Sequence, residues 1–569
     1  MGGLLCAIFV TLAVPRLVTL PAPSEGQVDR IPPAAHRMLA ARAAKAYEEK
    51  RFAESAEIFE RLVRDTPRDG RAWAGLGRSR IALGDAERGS ASMDRAISIG
   101  FENDAEASHE VAVAFARAGK RDQARLWLER ALRAGYRNRP KIQSEPDFAG
   151  LSHDAAFLAL AGVEPEPADR NEGWRRDLDA FVSEVRRLHH RYRVEPLPEG
   201  FRSSAENMAA AIPHLTDGQV TVAFQRLAAS LGDGHSIFWP FGMKRGALHV
   251  VRVRFFIFEE GLFVVDCPPR PELVGHRVLR IGGVSVADAM DRIREYLSHD
   301  NEMSALWAAP FYLGIPEFVE AIGGSATTAG FEIEVESRAG ERTRLELTAD
   351  PIDPEKIELK LRPAASDPAA GRPDYLRHLS ASWRISRLPG RRAVSVLFNS
   401  VADSKDETLA AFARRLKAEL EKFRARAVIV DVRNNNGGNA DLLRPLLNTL
   451  TCWAAVPGRR LYAIVGRQTY SAAQTFVSTL AQRSDVIVAG EPTGSRPNHL
   501  GNEALFRLPY SGLKGTLSSG LNQTAPRDAR NWIAPDLPAP PTAADFFAGR
   551  DAAMEAVLAD IDESRSEKR

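Results

Sequence analysis

Residues 427–447 read AVIVDVRNNNGGNADLLRPLL, and residues 461–482 read LYAIVGRQTYSAAQTFVSTLAQ. In each, an apolar run breaks into a short polar stretch and then resumes at helical spacing. A buried strand, a tight connection and a helix give that pattern. The same alternation extends outward in both directions. VSVLFNS (394–400) reads as a strand, LAAFARRLKAELEKF (409–423) as a helix and VIVAGE (486–491) as another strand. Strands alternating with helices of this length argue for an α/β layer with a largely parallel sheet. That layer is expected over residues 385–548, with a C-terminal helix and tail at 549–569.

Upstream the pattern changes three times. Residues 248–350 are strand-like, with HVVRVRFFIFEEGLFVVDC, HRVLRIGG and FEIEVESR, and 351–384 read as a linker. Within the former, LVGHRVLRIGGVSVADAM resembles part of a PDZ-like module, and an ordinary β subdomain has the same pattern. Residues 173–247 form a helical entry segment, preceded by the polar boundary PEPADRNEG (165–173) and an extension at 141–172. Residues 34–140 repeat with a period near 34, as pairs of amphipathic helices turning near Lys50, Gly84 and Gly119. Trp73, Leu76 and Gly77 stand at the spacing of tetratricopeptide repeats, which this region resembles. Such a stack is either a groove for a protein partner or a spacer.

A chain of 569 residues exceeds the roughly 250–300 at which one core stops growing, so several domains are expected. Its 76 basic and 74 acidic side chains leave a net charge of +2, which gives no bulk field for nucleic acid. The uncharged run from Gly2 to Pro15 reads as a signal-peptide core within residues 1–27, although no Lys or Arg precedes it. Export to the periplasm or cell surface follows as an expectation, with no integral membrane segment in the mature chain. Cys6, Cys267 and Cys452 give neither a disulfide ladder nor metal-ligand spacing, and the last two read as buried thiols rather than a bridge.

Chemistry concentrates at the two opening stretches. Gly437 and Gly438 allow backbone amides to approach a ligand without Cβ obstruction. Ser471 falls where a strand passes into a helix, with the amide of Ala472 beside its hydroxyl. That placement suits a nucleophile with an oxyanion donor, and equally an ordinary N-cap.

Together, DVRNNNGG, YSAAQTF and VIVAGEPTG resemble the core of the C-terminal processing (tail-specific) serine peptidases. The resemblance covers about residues 170–548 and implies a crotonase-like α/β core, with polypeptide as substrate and no metal or organic cofactor. It makes Ser471 the nucleophile and gives the oxyanion hole to the amides of Ala472 and of Gly437 or Gly438. The lysine-using branch carries its base 25 residues after the serine, where this chain has Arg496. A guanidinium stays protonated and cannot accept the serine proton. GDGHS (232–236) resembles the histidine signature of the tricorn branch, which makes His235 the base. The same branch makes Asp528 the acid, with Glu491 and Glu503 as competitors. Arg496, His499 and Tyr470 are candidates for substrate binding, and His499 is a second candidate base.

The expected fold is multidomain, α + α/β: tetratricopeptide-like helical repeats, a helical entry segment, a β-rich middle and the α/β core. The expected activity is that of a serine endopeptidase of tricorn-like kind. A carrier of apolar ligands on the same core, or an assembly scaffold using its repeats, is the alternative.

Overall fold

The computed structural model describes residues 32–152, 154–162, 167–239, 243–353, 372–388 and 390–566. It divides into two compact units, Met1–Pro165 and Glu166–Arg569. The expected signal segment and most of the expected 351–384 linker lie outside the described residues.

In the first unit, helices pair as Pro33–Glu48 with Phe52–Asp65, Gly70–Ala82 with Ala86–Ser98, and Asp104–Arg117 with Arg121–Arg133. The pairs turn through Lys50, Gly84 and Gly119, at φ 60°, 85° and 73°. A residue in the left-handed region closes a helix C-terminus, and glycine enters it without Cβ cost. Asp69 accepts from the amides of Arg71 and Ala72, and Asp85 from that of Arg88. These caps satisfy amides that a helix start leaves without partners. Small residues set how closely the helices approach. A Cβ on Gly77 would stand 3.1 Å from the Gly89 carbonyl oxygen, and one on Gly75 would run into the Phe59 ring.

The second unit opens with helices Arg170–Leu188, Glu199–Ala211 and Asp217–Ala229. The first begins inside the expected polar boundary, because Asp169 caps it by accepting from the Glu172 amide. An antiparallel sheet follows, its main strands ordered His249–Val251, Arg342–Pro351, Gly330–Glu336, Arg277–Ile281, Gly261–Asp266 and Arg254–Phe258. Phe331, Ile333 and Val335 are buried while the intervening glutamates are not, the period of a sheet with one face on a core.

The remaining residues form the expected parallel layer. Its six strands run in the order Trp383–Leu388, Ala393–Phe398, Ala427–Asp431, Arg460–Val465, Ile487–Gly490 and Leu537–Pro538. The first pair is antiparallel and all the others are parallel. Every residue of Ala393–Phe398 and of Ala427–Asp431 is buried, which is why those strands read as unbroken apolar runs. Helices Leu409–Lys422, Arg444–Ala454 and Ala472–Arg483 pack on one face, and Ala552–Ser566 packs on the other. A third sheet joins Ile237–Trp239 to the hairpin Asn498–Arg507 and Lys514–Gln523.

Two expectations need correction. The linker was drawn to residue 384, yet Trp383 already begins the first core strand. Its ring packs on Phe412 at 5.2 Å, and its indole N–H donates to Glu407. Cys267 is a buried free thiol, but Cys452 is exposed. Its helix buries Leu446, Leu447, Leu450 and Trp453, a stripe that leaves position 452 on the outer face.

Candidate active site

Two loops at the C-terminal ends of adjacent parallel strands build one half of the site. After Ala427–Asp431, Asn435 organises the glycine loop. Its Nδ2 donates to the Phe398 carbonyl at 2.9 Å, and its Oδ1 accepts from the Gly437 amide at 2.9 Å. The Tyr470 amide donates to the Asn435 carbonyl at 3.1 Å, binding the second loop to the first. Thr469 adds a tie, its hydroxyl donating to the Val432 carbonyl at 3.0 Å.

Ser471 sits at the junction of the second loop and the helix Ala472–Arg483, with φ 52° and ψ −122°. A non-glycine residue in that region is under backbone strain, which persists only where the surroundings impose it. Its amide donates to the Ser495 hydroxyl at 3.1 Å. Its own side chain does not cap the helix, and among the described residues the hydroxyl makes no hydrogen bond. The N-cap explanation for a serine here therefore fails on geometry.

Gly437 lies directly against Ser471. A Cβ on Gly437 would stand 2.7 Å from the Ser471 Cβ and 2.8 Å from the Ala472 nitrogen. Of the three expected oxyanion amides, that of Gly437 is already donated to Asn435. Among the described residues the amides of Gly438 and Ala472 have no partner, and the latter heads a helix whose dipole favours negative charge.

The other half comes from the entry segment. The Asp217–Ala229 helix ends in a turn through Gly232, at φ 76°. Asp233 then folds the chain back on itself. Its Oδ1 accepts from the amides of His235 and Ser236, at 3.0 and 2.8 Å, and from the Ser518 hydroxyl. Its Oδ2 accepts from His189 Nε2 at 3.0 Å, and His189 Nδ1 in turn accepts from the Arg191 amide. Burial alone would push the Asp233 carboxyl up, but these hydrogen bonds, that from His189 first among them, hold it down at about 2.

His235 is buried, its ring stacked on Tyr470 at 4.7 Å and on His499 at 5.6 Å. Its Nδ1 lies 3.3 Å from the Tyr470 hydroxyl, while its Nε2 has no hydrogen-bond partner among the described residues. Tyr470, the residue before the serine, thus touches the histidine through both ring and hydroxyl. Burial keeps its phenol far above the ordinary range, so it stays neutral. Gly234 is required for this contact, because a Cβ there would stand 1.9 Å from the tyrosine oxygen.

The structure thus gathers Ser471, Ala472, Gly437, Gly438, Tyr470, His235 and His499. Burial lowers the His499 pKa first of all, with His235 adding to that and Asp300 opposing it. The His499 Nδ1 donates to the Arg496 carbonyl at 3.1 Å. Asp528 is engaged elsewhere, in an ion pair with Arg530 at 2.7 Å, and makes no hydrogen bond to His235 or Ser471. Glu491 forms a buried bidentate pair with Arg467, and Glu503 is exposed on the cavity rim. Asn435, Ser495, Asp233 and His189 belong to the site without having been singled out. Only Asp233 carried a signal, an aspartate two residues before the histidine in a Gly-Asp-Gly turn.

Beside the site lies a cavity of about 860 Å³, lined by Gly234, Trp239, Phe256, Trp307, Gln468 and Tyr470 among others. Among the described residues, no cluster of His, Cys, Asp and Glu could hold a metal ion, and no helix is long and apolar enough to cross a membrane.

No family model and no curated protein matches the chain. Solved structures do. Mature CPAF complexed with lactacystin is similar with a TM-score of 0.49 and 13% identity, over 68% of this chain and 97% of that chain. The photosystem II D1 C-terminal processing protease is similar with a TM-score of 0.33 and 15% identity, over 67% and 98%. The Yersinia enterocolitica type III secretion translocator chaperone SycD has a TM-score of 0.17 and 19% identity, over 23% and 90%. A C-terminal processing protease, the kind of protein the three core motifs resemble, is among the solved structures similar to this chain.

Proposed function

We propose that this protein is a serine endopeptidase in which Ser471 attacks a peptide carbonyl and His235 takes its proton. The oxyanion would be held by the amides of Gly438 and Ala472, the amine would leave with the proton from His235, and water would free the acyl-enzyme. The observation that carries this reading is Ser471 itself, strained at φ 52°, pressed against Gly437 and not spent on capping its helix. If His235 donates its Nδ1 proton to Tyr470, its unpartnered Nε2 carries the lone pair that a general base needs. Closure of the Ser471–His235 hydrogen bond is assigned to substrate binding, since such bonds often tighten only in the complex.

Polypeptide is the substrate class, and the aromatic cavity beside Tyr470 supports recognition of apolar side chains. The core is read as crotonase-like, the antiparallel middle as PDZ-like and the helix pairs of the first unit as tetratricopeptide-like repeats that bind a protein partner. The uncharged run at Gly2–Pro15 supports export to the periplasm or cell surface. Fluorophosphonate labelling of wild type and Ser471→Ala tests the assignment. Labelling confined to the wild type is expected, and a wild type that neither labels nor cleaves any peptide overturns it.

The same cavity supports a second reading, a carrier of apolar ligand. An apolar molecule that copurifies with the protein, together with an unreactive Ser471, would favour the carrier.

A further inference from the structure

Asp300 enters the site from a segment that carries no catalytic motif, yet its surroundings are built around it. Its Oδ1 accepts from the Gly234 amide at 2.9 Å, one residue before the candidate base. Its Oδ2 is buried and has no hydrogen-bond partner among the described residues, although only 5% of the residue is exposed. A buried carboxylate oxygen without a partner is costly and calls for an explanation. Two further buried atoms in the same cluster also lack partners, His235 Nε2 and His499 Nε2.

The backbone of Asp300 is locked on both sides. Its amide donates to the Ser304 hydroxyl at 3.1 Å, and its carbonyl accepts from Arg496 Nε at 2.7 Å. The next residue, Asn301, donates from Nδ2 to the carbonyls of Thr493 and Asn531. Arg496 occupies the place where a lysine base would stand, and here it holds the main chain of an acid.

We propose that Asp300 is the acid of this site, a positioning residue that fixes the Gly234–His235 turn with one carboxylate oxygen and sets a carboxylate beside the stacked imidazoles. This rests on the peptidase reading and completes it. Asp528 and Glu491 already have arginine partners, whereas the Asp300 carboxylate has none among the described residues. The other groups facing the stacked imidazoles are Tyr470, neutral through burial, Asp233, engaged by His189 and Ser518, and Arg496, turned to the Asp300 carbonyl. Glu503 is exposed, and its charge adds to the rise of the Tyr470 phenol. Asp300 raises the His499 pKa against the effect of burial, the direction a carboxylate beside an imidazole must give.

The test uses the full chain carrying Asp300→Asn, Asp300→Glu or Asp528→Asn. Asparagine keeps an acceptor for the Gly234 amide and removes the charge, while glutamate keeps the charge and disturbs the geometry. With a fluorogenic peptide that the wild type cleaves, Asp300→Asn should lower kcat by about 100-fold with little change in KM, within the range of a general acid–base contribution. The acid limb of its kcat/KM profile should move to lower pH by about half a unit or more, because an imidazolium loses its counter-charge. Asp300→Glu should keep the limb at its wild-type position, and Asp528→Asn should stay within about threefold of wild type. A merely structural role would harm Glu as much as Asn and leave the limb in place, which overturns the proposal. So does a loss confined to Asp528→Asn.

Wild-type labelling at Ser471 separates the two claims. If Ser471 labels and Asp300→Asn behaves as wild type, this inference fails and the peptidase reading stands. If Ser471 never labels, the peptidase reading fails. NMR titration of ¹³C-labelled histidines then decides the pairing. A His499 signal that titrates at lower pH in Asp300→Asn supports it, and an unmoved signal overturns it.

Discussion

The hydroxyl of Tyr470 occupies the space that a side chain on Gly234 would fill, 1.9 Å from its ideal Cβ position. The residue before the candidate nucleophile and the residue before the candidate base are therefore fitted to each other. Gly234→Ala should push Tyr470 off the His235 ring and cost about 1–3 kcal/mol of stability through overpacking. Denaturant unfolding would show the loss, and peptide cleavage should fall with it.

Gly437→Ala separates the site from the fold. Its Cβ would collide with Ser471 and the Ala472 nitrogen, at a φ of 103° that alanine rarely adopts. The expected outcome is a protein of near-native circular dichroism whose fluorophosphonate labelling slows by about 100-fold or more, the scale of losing an oxyanion donor. Labelling at the wild-type rate would mean that the glycine loop does not form the oxyanion hole.

Acid should act on the His235 turn through Asp233. Its folded pKa of about 2 lies below the ordinary aspartate value, so the unfolded chain binds its proton first as pH falls. The stabilisation is fully present above about pH 4 and is lost as pH falls through about 2. It is on the order of 2 kcal/mol. Asp233→Asn should flatten the dependence of unfolding free energy on pH in that window, as acid titrations of denaturant midpoints would reveal.

The two described cysteines should differ in reactivity. Cys452 is exposed, whereas Cys267 is buried and burial raises its thiol pKa. Maleimide should modify Cys452 in native protein and reach Cys267 only after denaturation, as peptide mapping would resolve.

What the sequence made legible follows from where its information is local. The parallel strands could be read because Ala427–Asp431 and its neighbours are buried on both faces and so carry uninterrupted apolar runs. Ser471 and the glycine pair lie in such strand-to-helix connections, and residue types alone marked them. Asp300 could not be found this way, because its partners are Gly234, 66 positions away, and Arg496, 196 positions away. Asn435 was hidden differently. It stands in a run of three asparagines, and only the fold shows which one turns its amide to Phe398 and Gly437. Tyr470 was noted as a substrate contact, but its stacking on His235 depends on two loops converging from distant parts of the chain.

The small sheet that joins Ile237–Trp239 to Lys514–Gln523 also sets a schedule. The turn carrying His235 is made before its lock, which waits for Ser518 to reach Asp233 and for Thr516 to reach the His235 carbonyl. On the peptidase reading, the base is not locked in place until Thr516, 281 positions after His235, has also been made.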